Sequence, residues 1–195
     1  MKLLSTPPLP LYSDRLELRL PKQSDYRQWS ELRRSSRGFL EPWEPTWTDD
    51  HLSRPAFAER VRWSQSSASG GSGLPLLLVR QADAVMVGGI TLDQIRLGPA
   101  QKASVGYWVG EEFSRQGYMQ EAINAVVWYA FEEIGLSRVE AACLPSNIPS
   151  RRLLEKTGFK YEGVAQSYLQ IHGRWRNHVL YANLRGDRRG RTDAG

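Results

Sequence analysis

The residues best placed to do chemistry form one short run, Ser114-Arg115-Gln116-Gly117-Tyr118-Met119-Gln120-Glu121, in which a glycine separates an extended apolar segment from an amphipathic one. Before it, Val105 to Gly110 reads as a strand. After it, Ala122, Ile123, Val126, Val127, Ala130, Phe131 and Ile134 recur at three- and four-residue steps, the stripe of a helix. A chain that turns through glycine into a helix start exposes several unpaired N–H groups at the positive end of the helix dipole. Such a turn can hold a phosphate or diphosphate without any cationic side chain. The same pattern also serves as a plain tight turn.

Two further groups of residues qualify. Asn147 and Ser150 stand at the start of a later helix, where a side-chain amide or hydroxyl caps backbone groups. Phe39-Leu40-Glu41-Pro42-Trp43-Glu44-Pro45-Thr46-Trp47 carries three large aromatics and two prolines. The prolines forbid regular structure and the aromatics must pack on something, so the loop is either a stiff wall of a binding site or a lid over the core. Glu41, Glu44, Asp49 and Asp50 give this region four negative charges, which attract a protonated amine or merely face water.

The elements that must position these residues follow from pattern. Leu16, Leu18 and Leu20 alternate in a first strand, and Ser24 or Asp25 caps a helix reaching about Ser35. A second helix covers Asp50 to Ser67, with Pro55 in its first turn and Phe57, Val61 and Trp63 inward. Ser67 to Gly73 superficially resembles a phosphate loop but lacks the Gly-Lys-Ser/Thr ending, so it reads as a linker. Leu76 to Arg80 and Val85 to Leu92 are strands, as is Arg138 to Leu144, whose Cys143 reads as a buried small hydrophobe. A helix from Asn147 stops at Gly158, and two strands around His172-Gly173 finish the chain. This order predicts an α/β (α+β) mixed sheet with helices on both faces and excludes an all-parallel doubly wound fold.

Composition sets the outer limits. The 195 residues suit a single domain over 1–184. A hydrophobic share of 41% and a charged share of 24% are those of an ordinary soluble globule. No apolar run is long enough to span a bilayer, the N-terminus lacks a signal-peptide pattern, and Cys143 is the lone cysteine, which together point to the cytoplasm. No Cys/His spacing suits a metal. The net charge of +5 favours polyanions without requiring them. Residues 185–195, with four arginines against two aspartates, read as a disordered basic tail, either plainly solvated or a weak ribosome or RNA contact.

With these residues in place, the chain resembles the GCN5-related N-acetyltransferase (GNAT) superfamily over nearly its whole length. The superfamily's acyl-CoA signature, Q/R-x-x-G-x-G/A, falls on Ser114 to Met119 and matches at the central Gly117. Asn147-Ile-Pro-Ser150-Arg-Arg-Leu-Leu-Glu-Lys-Thr-Gly158-Phe159 resembles the family's Asn-led helix ending in Gly-Phe. Phe39 to Pro45, and Tyr168-Leu-Gln-Ile-His-Gly-Arg-Trp-Arg-Asn-His-Val-Leu180, resemble the RimJ/RimL type of ribosomal-protein-alanine N-acetyltransferase.

The resemblance implies a GNAT fold and acetyl transfer from acetyl-CoA, without metal, to the N-terminal amine of a ribosomal protein, by a monomer or homodimer. Acetylation of a small-molecule amine and a non-catalytic ribosome-binding role, through Arg174, Arg176 and the tail, are the alternatives. It implies that the backbone of Tyr107, Trp108, Val109 and Gly110 holds the pantetheine arm. Arg115, Gln116, Gly117, Tyr118, Met119 and Gln120 would hold the diphosphate, with Asn147 and Ser150 near the acyl end. The general-acid tyrosine of many members corresponds to Leu154, so Ser150 takes that role as in RimL-like relatives. Two glutamate positions used as bases by relatives correspond to Ser104 and Leu169, which leaves Glu44 as candidate base. Trp43, Glu44, Trp47 and Tyr168 would line the acceptor site.

Overall fold

In the computed structural model residues 9–186 are described. They form one eight-stranded sheet: β1 (Leu11–Tyr12), β2 (Leu16–Arg19), β3 (Leu74–Arg80), β4 (Val85–Arg96), β5 (Lys102–Val109), β6 (Arg138–Cys143), β7 (Lys160–Ile171) and β8 (Arg174–Leu184), in the spatial order β1-β2-β3-β4-β5-β6-β8-β7. Helices α1 (Tyr26–Ser35), α2 (Arg37–Leu40), α3 (Arg54–Ser69), α4 (Tyr118–Glu132) and α5 (Ile148–Lys156) flank it. The mixed, mostly antiparallel sheet is the one the sequence predicts.

Every neighbouring pair is antiparallel except β5 and β6. Parallel neighbours cannot be joined by a hairpin, so the chain crosses over through α4. Its apolar stripe is buried as expected, Ala122, Ile123, Val126 and Ala130 fully, within a core that also takes Leu16, Leu18, Val87 and Ile90. The β5–β6 ladder is short: Lys102 pairs with Arg138, Ala103 with Val139 and Ser104 with Glu140, and there it ends. β5 stays paired with β4 as far as Val109. The sheet is therefore parted between β5 and β6 from Val105 onward.

Four expectations need correction. Trp63 is exposed, because the helical step from Val61 lands on Ser64, which is fully buried where α3 packs on β3. The proline-rich loop is not irregular throughout: α2 reaches Leu40 and Glu41–Trp43 form a 3-10 turn, with Pro42 in its first residues where a missing N–H costs nothing. Asp25 does not cap α1 with its side chain; it takes a two-pronged ion pair from Arg19, at 2.7 Å to each oxygen, and the Lys22 N–H. Arg185, assigned to the tail, is tied back by its N–H to Ser137 and lies 3.6 Å from Glu132. The rest of the expected tail, from residue 187 on, lies outside the described residues. None of the described helices is long and apolar enough to cross a membrane.

Candidate active site

The turn into α4 is built for open N–H groups. Gly117 has φ +85°, a left-handed conformation that glycine adopts without strain, and an added Cβ would also meet Arg15 Nη2 at 3.2 Å. The Glu121 N–H is the first to bond back, to the Gly117 carbonyl at 3.2 Å, so those of Tyr118, Met119 and Gln120 precede the helical ladder. Tyr118 and Met119 bury their side chains in the core, which leaves the outer rim of the turn to main chain. Arg15 braces the turn from behind. It donates to the Gln116 carbonyl (2.9 Å) and to Glu121 (2.6 Å), and lies 4.3 Å over the Tyr118 ring.

Across the parting, α5 begins with Asn147, whose Oδ1 accepts from the Ser150 N–H at 3.1 Å. The cap is thus made by Asn147, and the Ser150 hydroxyl is free for other work. It pairs with the Tyr107 phenol at 2.9 Å, bridging β5 and α5. Cys143 is buried at the end of β6. Burial pushes both the Tyr107 phenol and the Cys143 thiol above their ordinary pKa values. Trp108, Val109 and Gly110 follow on β5 and its end, with the Gly110 N–H bonded to Val87.

The aromatic loop is pinned to β5 by a residue the sequence gave no reason to select. Arg33 of α1 is 5% exposed. Its guanidinium lies 4.4 Å from the Trp47 ring centroid and 4.8 Å from that of Trp108. Its two terminal nitrogens donate to Glu44 at 2.8 and 2.6 Å, and the Trp47 indole N–H donates to Glu44 at 2.8 Å. Both Glu44 oxygens are therefore committed. His51 stacks on Trp47 at 4.5 Å with Nε2 3.1 Å from Arg33, and burial together with the Arg33 charge lowers its pKa to about 4. The neutral ring thus accepts from Arg33, whose buried Nε alone has no partner.

Not every expected residue joins this cluster. Trp43 is partly exposed on the 3-10 turn. Tyr168 sits where the β7–β8 ladder is irregular, and its ring packs near His178, 5.5 Å away. The hairpin tip does reach the loop, through the His172 N–H to the Glu44 carbonyl at 3.3 Å. The clamp left one trace in the sequence: Gly88-Gly89 inside a strand marks a close approach. A Cβ on Gly89 would lie 2.6 Å from Trp108 Nε1, so the glycine makes room for the indole that covers Arg33.

Residues 15–160, which run from the start of β2 through α4 and α5 to the start of β7, match the acetyltransferase (GNAT) domain family. The chain belongs to the GNAT acetyltransferase family. A GNAT relative in Escherichia coli, a [ribosomal protein uS5]-alanine N-acetyltransferase, is 30% identical over 91% of this chain and 92% of its own. A probable N-acetyltransferase of Bacillus subtilis, YjcK, is 33% identical over 80% of this chain and 86% of its own. The structure of Mycobacterium smegmatis RimJ in complex with CoA-disulfide superposes with a TM-score of 0.86 at 29% identity, covering 94% of this chain and 91% of that one.

Proposed function

We propose that this GNAT protein transfers the acetyl group of acetyl-CoA to the N-terminal α-amine, of alanine or serine type, of a ribosomal protein in the cytoplasm, by direct attack of the amine. The observation that carries the proposal is the parting of β5 from β6, with open N–H groups around Gly117 at one side and the Ser150 hydroxyl at the other. The name borne by the Escherichia coli relative supplies the acceptor class.

The residues fit a coenzyme A thioester. The N–H groups from Arg115 to Gln120 suit its diphosphate, because a helix start stabilises anions and the nearby Glu121 carboxylate is neutralised by Arg15. Backbone groups of Tyr107 and Val109, which alternate with those that β5 spends on β4, would pair with the amide-bearing arm, whereas the Gly110 N–H and carbonyl are already bonded to Val87 and Phe113; Asn147 fixes the helix that presents Ser150. Bound there, acetyl-CoA supplies an activated acyl carbon. Ser150 donates a hydrogen bond to the sulfur as charge develops on it.

Trp43, Trp47 and Tyr168 wall the acceptor side. Glu44 is better suited to anchoring than to accepting a proton, since both its oxygens already accept hydrogen bonds from Arg33 and Trp47. An α-amine has a pKa of about 8, so a useful fraction is already neutral in the cell and water suffices to take its proton. Labelled acetyl-CoA incubated with ribosomal proteins, followed by fragmentation, tests the proposal. Label on the N-terminal residue is expected, and label confined to lysine side chains excludes it.

A further inference from the structure

Continued for three more residues, the β5–β6 ladder would set Tyr107 opposite Cys143. Instead the strands part, and Tyr107 spans the mouth of the opening to reach Ser150. Strand alternation makes the two neighbours serve opposite faces: Trp108 covers Arg33 of α1 while Tyr107 meets α5. Resting on the proposed function, we infer that Tyr107 is the positioning residue that aims the Ser150 hydroxyl proton at the sulfur of the acyl donor.

The argument is an inventory of one oxygen. A serine hydroxyl has one proton to give and two lone pairs. The Tyr107 phenol lies 2.9 Å away, and with the phenol as donor its proton fills one of those lone pairs. Burial holds the phenol in its protonated form. With the phenol's proton in that bond, the Ser150 proton is the one left to point into the opening. This arrangement fills the place left by Leu154, which is buried and carries no acid. As the amide C–N bond forms, the C–S bond breaks and sulfur keeps the bonding pair. The amine's surplus proton passes to water and the sulfur regains one from water, so Tyr107 keeps its proton throughout.

The test is Tyr107→Phe, which keeps the ring and removes the donor. Calorimetry compares coenzyme A with desulfo-coenzyme A at about pH 9.5, where a thiol of ordinary pKa, about 8.5, is ionised. The wild-type protein is expected to bind coenzyme A more tightly than the desulfo form, and Y107F to lose about tenfold toward coenzyme A alone. In turnover, Y107F is expected to lower kcat about tenfold with KM for acetyl-CoA unchanged, and to cost nothing further in a Ser150→Ala background. Equal weakening toward both ligands, additivity with S150A, or unchanged kcat overturns the inference. Failure of the wild-type protein to bind either ligand would instead remove the proposed function on which it rests.

Discussion

Glu44→Gln separates an anchor from a base. In the structure the carboxylate forms a two-pronged pair with Arg33, whose side chain is 6% exposed against 22% for Glu44, and accepts the Trp47 indole N–H. Breaking a buried pair costs about 3–5 kcal/mol because the remaining charge is left uncompensated. Glutamine keeps one acceptor, and Glu44 is partly hydrated, so the expected loss is about 2–3 kcal/mol. For a domain of this size that lowers Tm by about 5–10 °C. Since the loosened loop would misplace the acceptor at any pH, kcat/KM is expected to fall by the same factor near about pH 7 and about pH 9, on either side of the α-amine pKa. Thermal melts and a pH–rate profile measure both. An unmoved Tm, with a rate lost near the lower pH and regained near the higher, would show that Glu44 takes the proton and that the clamp has been misread.

Three other outcomes follow from the same geometry. Gly117→Ala forces an L-residue to φ +85° and is expected to cost about 1–2 kcal/mol in stability and to weaken coenzyme A binding, read by calorimetry; unchanged affinity would dissociate the turn from the diphosphate. Gly89→Ala places a methyl 2.6 Å from Trp108 Nε1 and is expected to destabilise by about 1–3 kcal/mol, shown by a lower urea midpoint and a change in tryptophan fluorescence as the indole leaves Arg33. His51 has a folded pKa of about 4, below its model-peptide 6.5, so the unfolded chain binds more protons between these values. Its contribution is full above the unfolded pKa and is lost as pH falls from 6.5 towards 4, so His51→Gln is expected to flatten urea midpoints across that window.

What the sequence disclosed was whatever repeats locally. Leu16 and Leu18 of the strand, the α4 stripe from Ala122 to Phe131 and the glycine before it are periodic or adjacent and reached their expected places, whereas Leu20 and Ile134 fall just past the ends of β2 and α4 and are only partly buried. Trp63 misled because size is not position: a small serine one residue on occupies the buried face. The prolines of the aromatic loop misled because a proline at the start of a tight turn supports it. Arg33 and the Tyr107–Ser150 bridge were invisible for a different reason. Their partners lie 11 and 43 residues away, and nothing in the local pattern of either segment says they meet until the strands are ordered. An arginine on an amphipathic helix is by default a solvated one, and only the paired glycines of β4 hinted that an indole lay close.

The lone parallel pairing in the sheet carries a topological consequence. Because β5 and β6 run the same way, the segment between them is obliged to traverse the sheet and return, and its helix necessarily starts where β5 stops. Cutting the chain within that traverse would leave each strand its neighbours in the sheet. It would also free the start of α4 from the end of β5, so a chain cleaved there should keep the short β5–β6 ladder yet lose the fixed placement of the Gly117 turn beside the cleft.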